Sequence, residues 1–259
     1  MPPQQYSERV ETCQPLLRRS VDRGLRSLVR LVWPGTCLLC GRTDTGDVDL
    51  CSDCAADLPR NELACQVCAE PLASISADAR VCGACLSDPP AFCGSFVPFH
   101  YSYPLDHLVQ GLKFRNELAC GRVLGRLFAR AAVAHGVSLP EAIVPVPLAP
   151  RRFRQRGYNQ ASELALAIRR ELGVAVRADV VIRQRETAQQ AGLDRKARRR
   201  NVRGAFAASA SLHARHIAIL DDVVTTGSTV RELAAVLQQA GAERVVLWAV
   251  ARAGRDIIA

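Results

Sequence analysis

The sequence predicts an α/β protein in which a parallel sheet flanked by helices follows a small cysteine-rich module built on two zinc ions. Three observations carry this. After residue 93 short apolar runs alternate with stretches of helical periodicity; between residues 37 and 85 four Cys-x-x-Cys pairs crowd a segment poor in large apolar side chains; and near the C-terminus a strand pattern runs through two acids into a hydroxyl- and glycine-rich turn. Strands that alternate with helices pair in parallel, because each helix carries the chain back across the sheet, and both faces are then covered.

With 259 residues, 49% of them apolar, the chain is long enough to bury a sizeable core. No apolar run approaches the roughly 18 residues of a membrane span, so none is expected. The start, "MPPQQYSERVETCQP", lacks the charged, apolar and small-residue regions of a secretion signal. The expected location is the cytoplasm, where paired cysteines serve as metal ligands rather than disulfides. A net charge of +9 points towards phosphate-bearing partners, but Lys113 and Lys196 are the only lysines, and an arginine bias fits a GC-rich coding sequence as well. Position, not total charge, has to identify the functional cations.

Residues 1–34 form a tail in which Leu17, Val21, Leu25, Leu28 and Val32 recur at helical spacing, with arginines largely elsewhere, until Pro34 and Gly35 end the pattern. Such a basic amphipathic helix suits a membrane surface or DNA, and suits docking on the protein's own body more simply. Residues 35–93 form the cysteine module, too small and too polar to fold on an apolar core alone. Residues 94–259 carry the alternating pattern: strands at "SFVPFHYSY", "AIVPVPL", "DVVIR", "HIAIL" and "RVVLWAVAR"; helices at "LDHLVQGLKF", "GRVLGRLFARAAVAHG", "NQASELALAIRREL" and "STVRELAAVLQQAG"; and a basic loop or short helix over 184–203.

The cysteine pairs are Cys37 and Cys40, Cys51 and Cys54, Cys65 and Cys68, Cys82 and Cys85. Two intervening residues let one turn present both thiolates to one ion, and two turns complete a closed tetrahedral zinc site. Either the first two pairs share one zinc and the last two another, or the pairs interleave; the sequence leaves both open. Structural zinc in finger peptides is worth on the order of 10–16 kcal/mol of apparent binding energy, so metal should define this module. Closed sites scaffold rather than catalyse. Cys13, Cys93 and Cys120 fall outside the pairs and are expected to be ordinary thiols, and no histidine shows ligand spacing.

"HIAILDDVVTTGSTV" places Asp221 and Asp222 at the end of a strand, then Thr225, Thr226, Gly227, Ser228 and Thr229 at a turn into a helix. Backbone N–H groups at such a turn converge on one point, and the helix start adds partial positive charge, which suits a phosphate. There is no Gly-Lys-Ser/Thr ending and no Gly-x-Gly-x-x-Gly turn after a strand, so neither a nucleoside-triphosphate loop nor a dinucleotide fold is expected.

"AILDDVVTTGST" resembles the fingerprint of type I phosphoribosyltransferases, which bind 5-phosphoribosyl-1-pyrophosphate (PRPP). Together with "CLLCG", "CQVCAEPL", "LKFRNE", "VPVPLAPRRFRQRGYNQASELA" and "RETAQQAGLDRKARRRNVRGAF", in this order, it resembles more narrowly the ComF family of competence-associated, phosphoribosyltransferase-like proteins with a double zinc ribbon. The resemblance implies a type I phosphoribosyltransferase-like sheet. It also implies that Asp221 and Asp222 hold the ribose hydroxyls and favour positive charge at the anomeric carbon, and that residues 225–229 hold the 5-phosphate. Carboxylates only accept hydrogen bonds and hydroxyls can donate, so acids one sugar ring from a phosphate select a sugar phosphate.

By the same resemblance Arg151, Arg152, Arg154 and Arg156 face the pyrophosphate, and Lys113, Lys196, Arg198 and Arg199 are further candidates, the last three on a closing loop. Gly157, Tyr158, Asn159 and Gln160 complete the "RGYNQ" segment typical of the family. Implied are Mg²⁺ with PRPP and a role in DNA uptake during natural transformation. Two activities fit: phosphoribosyl transfer, or non-catalytic binding of single-stranded DNA under PRPP control, with competence-machinery proteins as possible partners.

Overall fold

The computed structural model describes residues 35–43, 45, 47–73, 80–186, 195–209 and 214–254, without the side chains of 195, 196, 198 and 199. The helix expected over 16–33 and most of the loop at 187–194 lie outside the described residues. The chain divides into two compact units, Met1–Ser52 and Asp53–Ala259.

In the first unit the turn at Cys37 closes through Gly41 N–H to the Cys37 carbonyl (2.9 Å) and Cys37 N–H to the Arg42 carbonyl (2.8 Å). Gly41 takes φ 76°, a left-handed conformation that a Cβ would disfavour. The short helix α1 (Ser52–Ala56) follows.

The second unit opens with a second knuckle of the same kind. Cys65 N–H donates to the Glu70 carbonyl and Ala69 N–H to the Cys65 carbonyl, both at 2.8 Å. Helix α2 (Gly83–Ser87) starts directly after Cys82. This ribbon is packed into the main core: Ala69 and Phe92 belong to one apolar cluster with Ile217, Ile219, Leu233 and Leu247.

The sheet is parallel throughout. Strands β1 (Ser95–Phe96) and β2 (Phe99–His100) both lie along β8 (Arg244–Arg252), followed by β7 (His216–Val224), β3 (Ala142–Pro145) and β4 (Ala175–Val176). The inner strands β7 and β8 are buried over most of their length, as strands covered on both faces must be.

Helices α3 (Leu105–Phe114), α4 (Leu118–Ala134), α6 (Gln160–Leu172) and α8 (Ser228–Gln239) cover the sheet. Val230, Leu233, Ala234 and Leu237 of α8 pack on Ile217 and Ile219. On the opposite face the ring of Phe128 from α4 lies 5.2 Å from that of Trp248. Gly125 lets α4 meet α6 closely, since a Cβ there would stand 2.4 Å from the Cβ of Ala167.

Two elements differ from expectation. "VPVPLAPRRFRQRG", for which no helix was expected, contains helix α5 (Pro150–Arg156), with proline at its start and Gly157 (φ 79°) closing it. The strand in "DVVIR", β5 (Val181–Arg183), leaves the parallel sheet and pairs antiparallel with β6 (Phe206–Ala208). Between them lies helix α7 (Arg195–Val202), the short helix that the basic stretch allowed.

Candidate functional site

The eight cysteines gather as two groups of four, Cys37, Cys40, Cys51 and Cys54, and Cys65, Cys68, Cys82 and Cys85, with the sulfurs of each group within 4.8 Å of one another. The Sγ atoms of Cys40 and Cys51 are 3.7 Å apart, and those of Cys68 and Cys82 3.6 Å. A zinc–sulfur bond of about 2.3 Å gives a tetrahedral edge of about 3.8 Å, so the spacing suits zinc. The pairing is tandem, first with second and third with fourth, and the interleaved alternative falls. Burial acts to raise the Cys37 pKa, but the backbone N–H groups of Cys51, Cys40 and Leu39 outweigh it and hold the thiol down to about 6. Cys82 N–H donates to the Cys65 sulfur at 3.2 Å in the second ribbon. Each group fits one structural ion with no open coordination position.

The acid pair is placed by strand register. Strand β3 ends at Pro145, paired with Leu220, while β7 continues through Asp221 and Asp222 beyond it. The two carboxylates therefore stand where a neighbouring strand turns away, at the carboxyl end of a parallel sheet, the usual place for ligand clefts in such folds. Asp222 is 7% exposed. Its Oδ1 accepts from Val223 N–H at 2.6 Å and lies 3.0 Å from Lys113 Nζ. Burial, followed by the charge of Asp222, pushes the Asp221 carboxyl up to about 7. Burial would lower the Lys113 pKa, yet the two aspartates raise it overall, so the lysine stays charged.

The turn after the acids has the anticipated form. Gly227 takes φ 72° and starts α8, and the hydroxyls of Thr226 and Ser228 lie 2.9 Å apart. Thr225 and Thr229 flank it, both half-buried. This turn sets hydroxyls and the start of a helix beside two carboxylates.

The basic candidates separate into three groups. Lys113 sits on the acid pair. The half-buried Arg156 lies over the ring of Phe114, 5.5 Å from its centroid; burial lowers its pKa, and the nearby Asp222 acts in the opposite sense. Burial lowers the Arg183 pKa and the nearby Arg152 lowers it further, while Asp221 opposes, which places Arg183 near the first acid and Arg152 near Arg183. Arg151 and Arg154 are exposed on α5. Lys196, Arg198 and Arg199 are on α7, with side chains outside the description.

The "RGYNQ" segment joins elements together. Gly157 closes α5, the Tyr158 hydroxyl donates to the carbonyl of Leu112, the residue before Lys113, and Asn159 caps α6 through Ala161 N–H (3.0 Å) while donating to the Val146 carbonyl (2.9 Å). Gln160, 3% exposed, is buried at the start of α6.

Sequence reasoning missed Arg252 and Glu70. Arg252, 4% exposed at the end of β8, donates to the carbonyls of Val224 (3.0 Å) and Thr225 at the turn after the acid pair and to the Glu70 carboxylate of the second ribbon. A cavity of about 320 Å³ lies beside this bridge, lined by Glu70, Thr226, Gly227, Arg231 and Arg252 among others. The available signal was an arginine ending the apolar run "RVVLWAVAR", because a charge there must find a buried partner.

The sheet and the acid-and-hydroxyl turn define a parallel α/β protein that carries a double zinc ribbon. A family model described as a double zinc ribbon domain matches residues 28–86. Competence protein F of Haemophilus influenzae is 39% identical over 68% of this chain and 80% of its own. The DNA utilization protein YhgH of Escherichia coli K12 is 35% identical over 86% of this chain and 99% of its own. Competence protein ComFC of Streptococcus pneumoniae is 24% identical over 83% of this chain and 99% of its own. The chain belongs to this competence protein F (ComF) family. Among solved structures, the allosteric regulatory enzyme of purine biosynthesis overlaps with a TM-score of 0.33 at 18% identity over 50% of this chain and 25% of that one, too little for its site to be compared. No helix among the described residues is long and apolar enough to cross a membrane.

Proposed function

We propose that the site at the end of β7 binds PRPP, and that the protein acts in the cytoplasm on incoming DNA as a phosphoribosyltransferase-like member of its family. The observation that carries this is the sequence of groups on one strand end: two carboxylates, then a turn with Gly227 in the left-handed region and hydroxyls on both sides. Residues 225–229 hold the 5-phosphate and Asp221 and Asp222 accept from the ribose hydroxyls. Lys113 and Arg156 are near enough to the acids to meet the pyrophosphate, and Arg152 is proposed to join them. Mg²⁺ brought with PRPP would supply positive charge to the departing pyrophosphate. The acids favour positive charge developing at the anomeric carbon.

Binding of single-stranded DNA is the second function. It is supported by the exposed arginines of α5 and by the printed names of the relatives, a competence protein and a DNA utilization protein. Calorimetry with PRPP and Mg²⁺ tests the site: affinity should drop at least tenfold in the Asp221→Asn/Asp222→Asn double variant, and unchanged affinity refutes the assignment. Pyrophosphate release from PRPP, with and without single-stranded DNA, separates transfer from binding.

A further inference from the structure

Phe114 is an unusual residue to find beside an acid pair. It follows Lys113, whose ammonium is fixed on Asp222, and its ring is 71% exposed at the end of α3. Arg156 lies over one face of the ring, and the same guanidinium is close enough to Asp222 to feel its charge. The exposure leaves the opposite face open to solvent. Phe153, 49% exposed, precedes Arg156 by three residues and so shares its side of α5. Arg151 and Arg154 on the same helix are exposed, with no acidic partner among the described residues.

We propose that the open face of Phe114, backed by Arg156, is a stacking platform for an unpaired nucleobase of a single-stranded nucleic acid at the mouth of the acid-pair site. Every base presents a flat π-face, so an exposed ring receives a strand without regard to sequence. A cation on the far face fixes the ring and adds a charge for the strand. The flanking Arg151 and Arg154 meet the phosphates that an extended strand carries on either side of the stacked base, and no acid within α5 opposes them. An apolar protein partner would fill the aromatic surface but would have no use for this density of arginine. The platform deepens the proposed function, and rests on that reading, by giving the acceptor side of the PRPP site a chemical class: a base in an unpaired strand.

The test uses the full-length zinc-loaded protein at low salt. Fluorescence anisotropy compares a labelled oligothymidylate with an abasic oligonucleotide of the same length, for wild type, Phe114→Ala, Phe114→Leu and Phe114→Trp. The alanine and leucine variants should lose about 5- to 100-fold in affinity for oligothymidylate, with little change for the abasic strand, and the tryptophan variant should keep wild-type affinity. Leucine preserves apolar volume without a π-face, so its loss cannot be assigned to collapse of the surface. PRPP affinity should fall by less than the affinity for oligothymidylate in the alanine and leucine variants, because Phe114 reaches the groups assigned to PRPP through Arg156. Equal affinity of wild type for the two strands, or wild-type binding of oligothymidylate by the leucine variant, overturns the platform. If instead the double aspartate variant retains PRPP affinity, the sugar-phosphate site fails, and the dependence of base binding on Phe114 is judged separately.

Discussion

The ammonium of Lys113 lies 3.0 Å from Oδ1 of Asp222, joining the last turn of α3 to the carboxyl end of an inner strand of the sheet. Two adjacent carboxylates repel each other, and the charge of this lysine offsets that repulsion.

Replacing Lys113 by methionine removes that charge while keeping the apolar stem. Loss of one partner of a buried pair costs about 3–5 kcal/mol, and the partial exposure of the lysine reduces this to about 1–3 kcal/mol at pH 8. At pH 5 the cost should shrink, since the acids can share a proton. Urea denaturation at the two pH values measures both.

Asp221, pushed up to about 7 from 3.8 by burial and by its neighbour, makes stability depend on pH. Between about pH 4 and 7 the folded chain keeps a proton that the unfolded chain has released, so stability falls as pH rises through this window. Asp221→Asn carries no such group. Its stability relative to wild type should improve by about 4 kcal/mol from pH 4 to pH 8, with most of the change below pH 7. Parallel pH series of thermal unfolding check this.

Arg252 bridges the Glu70 carboxylate and the carbonyls of Val224 and Thr225. Arg252→Met should cost about 3 kcal/mol, as for a broken buried pair, and weaken PRPP binding by freeing the turn. Glu70→Gln should have a milder effect. A double-mutant cycle in chemical denaturation should give coupling above about 1 kcal/mol, and additive effects would show that the two residues act independently.

Metal analysis should return two zinc ions per chain, one for each group of four cysteines. Cys82→Ser should lose one ion and lower the melting temperature of the whole α/β core, because Ala69 and Phe92 of that ribbon share a cluster with Leu233 and Leu247. An unchanged melting temperature with one zinc missing would refute the structural coupling.

What was legible in the sequence was local. The "HIAILDDVV" strand, the turn at Gly227 and the helix after it follow from apolar pattern, acid placement and one left-handed glycine within a dozen residues. Cys-x-x-Cys spacing announced metal in the same way. The separation of β5 from the parallel sheet was not legible, because "DVVIR" has the apolar pattern of a strand whichever partner it finds. Pairing lies in the register between distant segments, and a short strand carries too few side chains to specify it.

The sequence by itself determined the sheet's helix-and-strand alternation, the ligands for two zinc ions, and the order of acids and hydroxyls along one turn, all of which depend on residues near one another in the chain. Only the tertiary structure decided that the ribbons are tandem, that Lys113 sits on Asp222, and that Arg252 ties Glu70 to the turn after the acid pair. These contacts link residues from 11 to 182 positions apart, and burial selects them: a charge taken out of water keeps its charge only where the fold delivers its counter-ion.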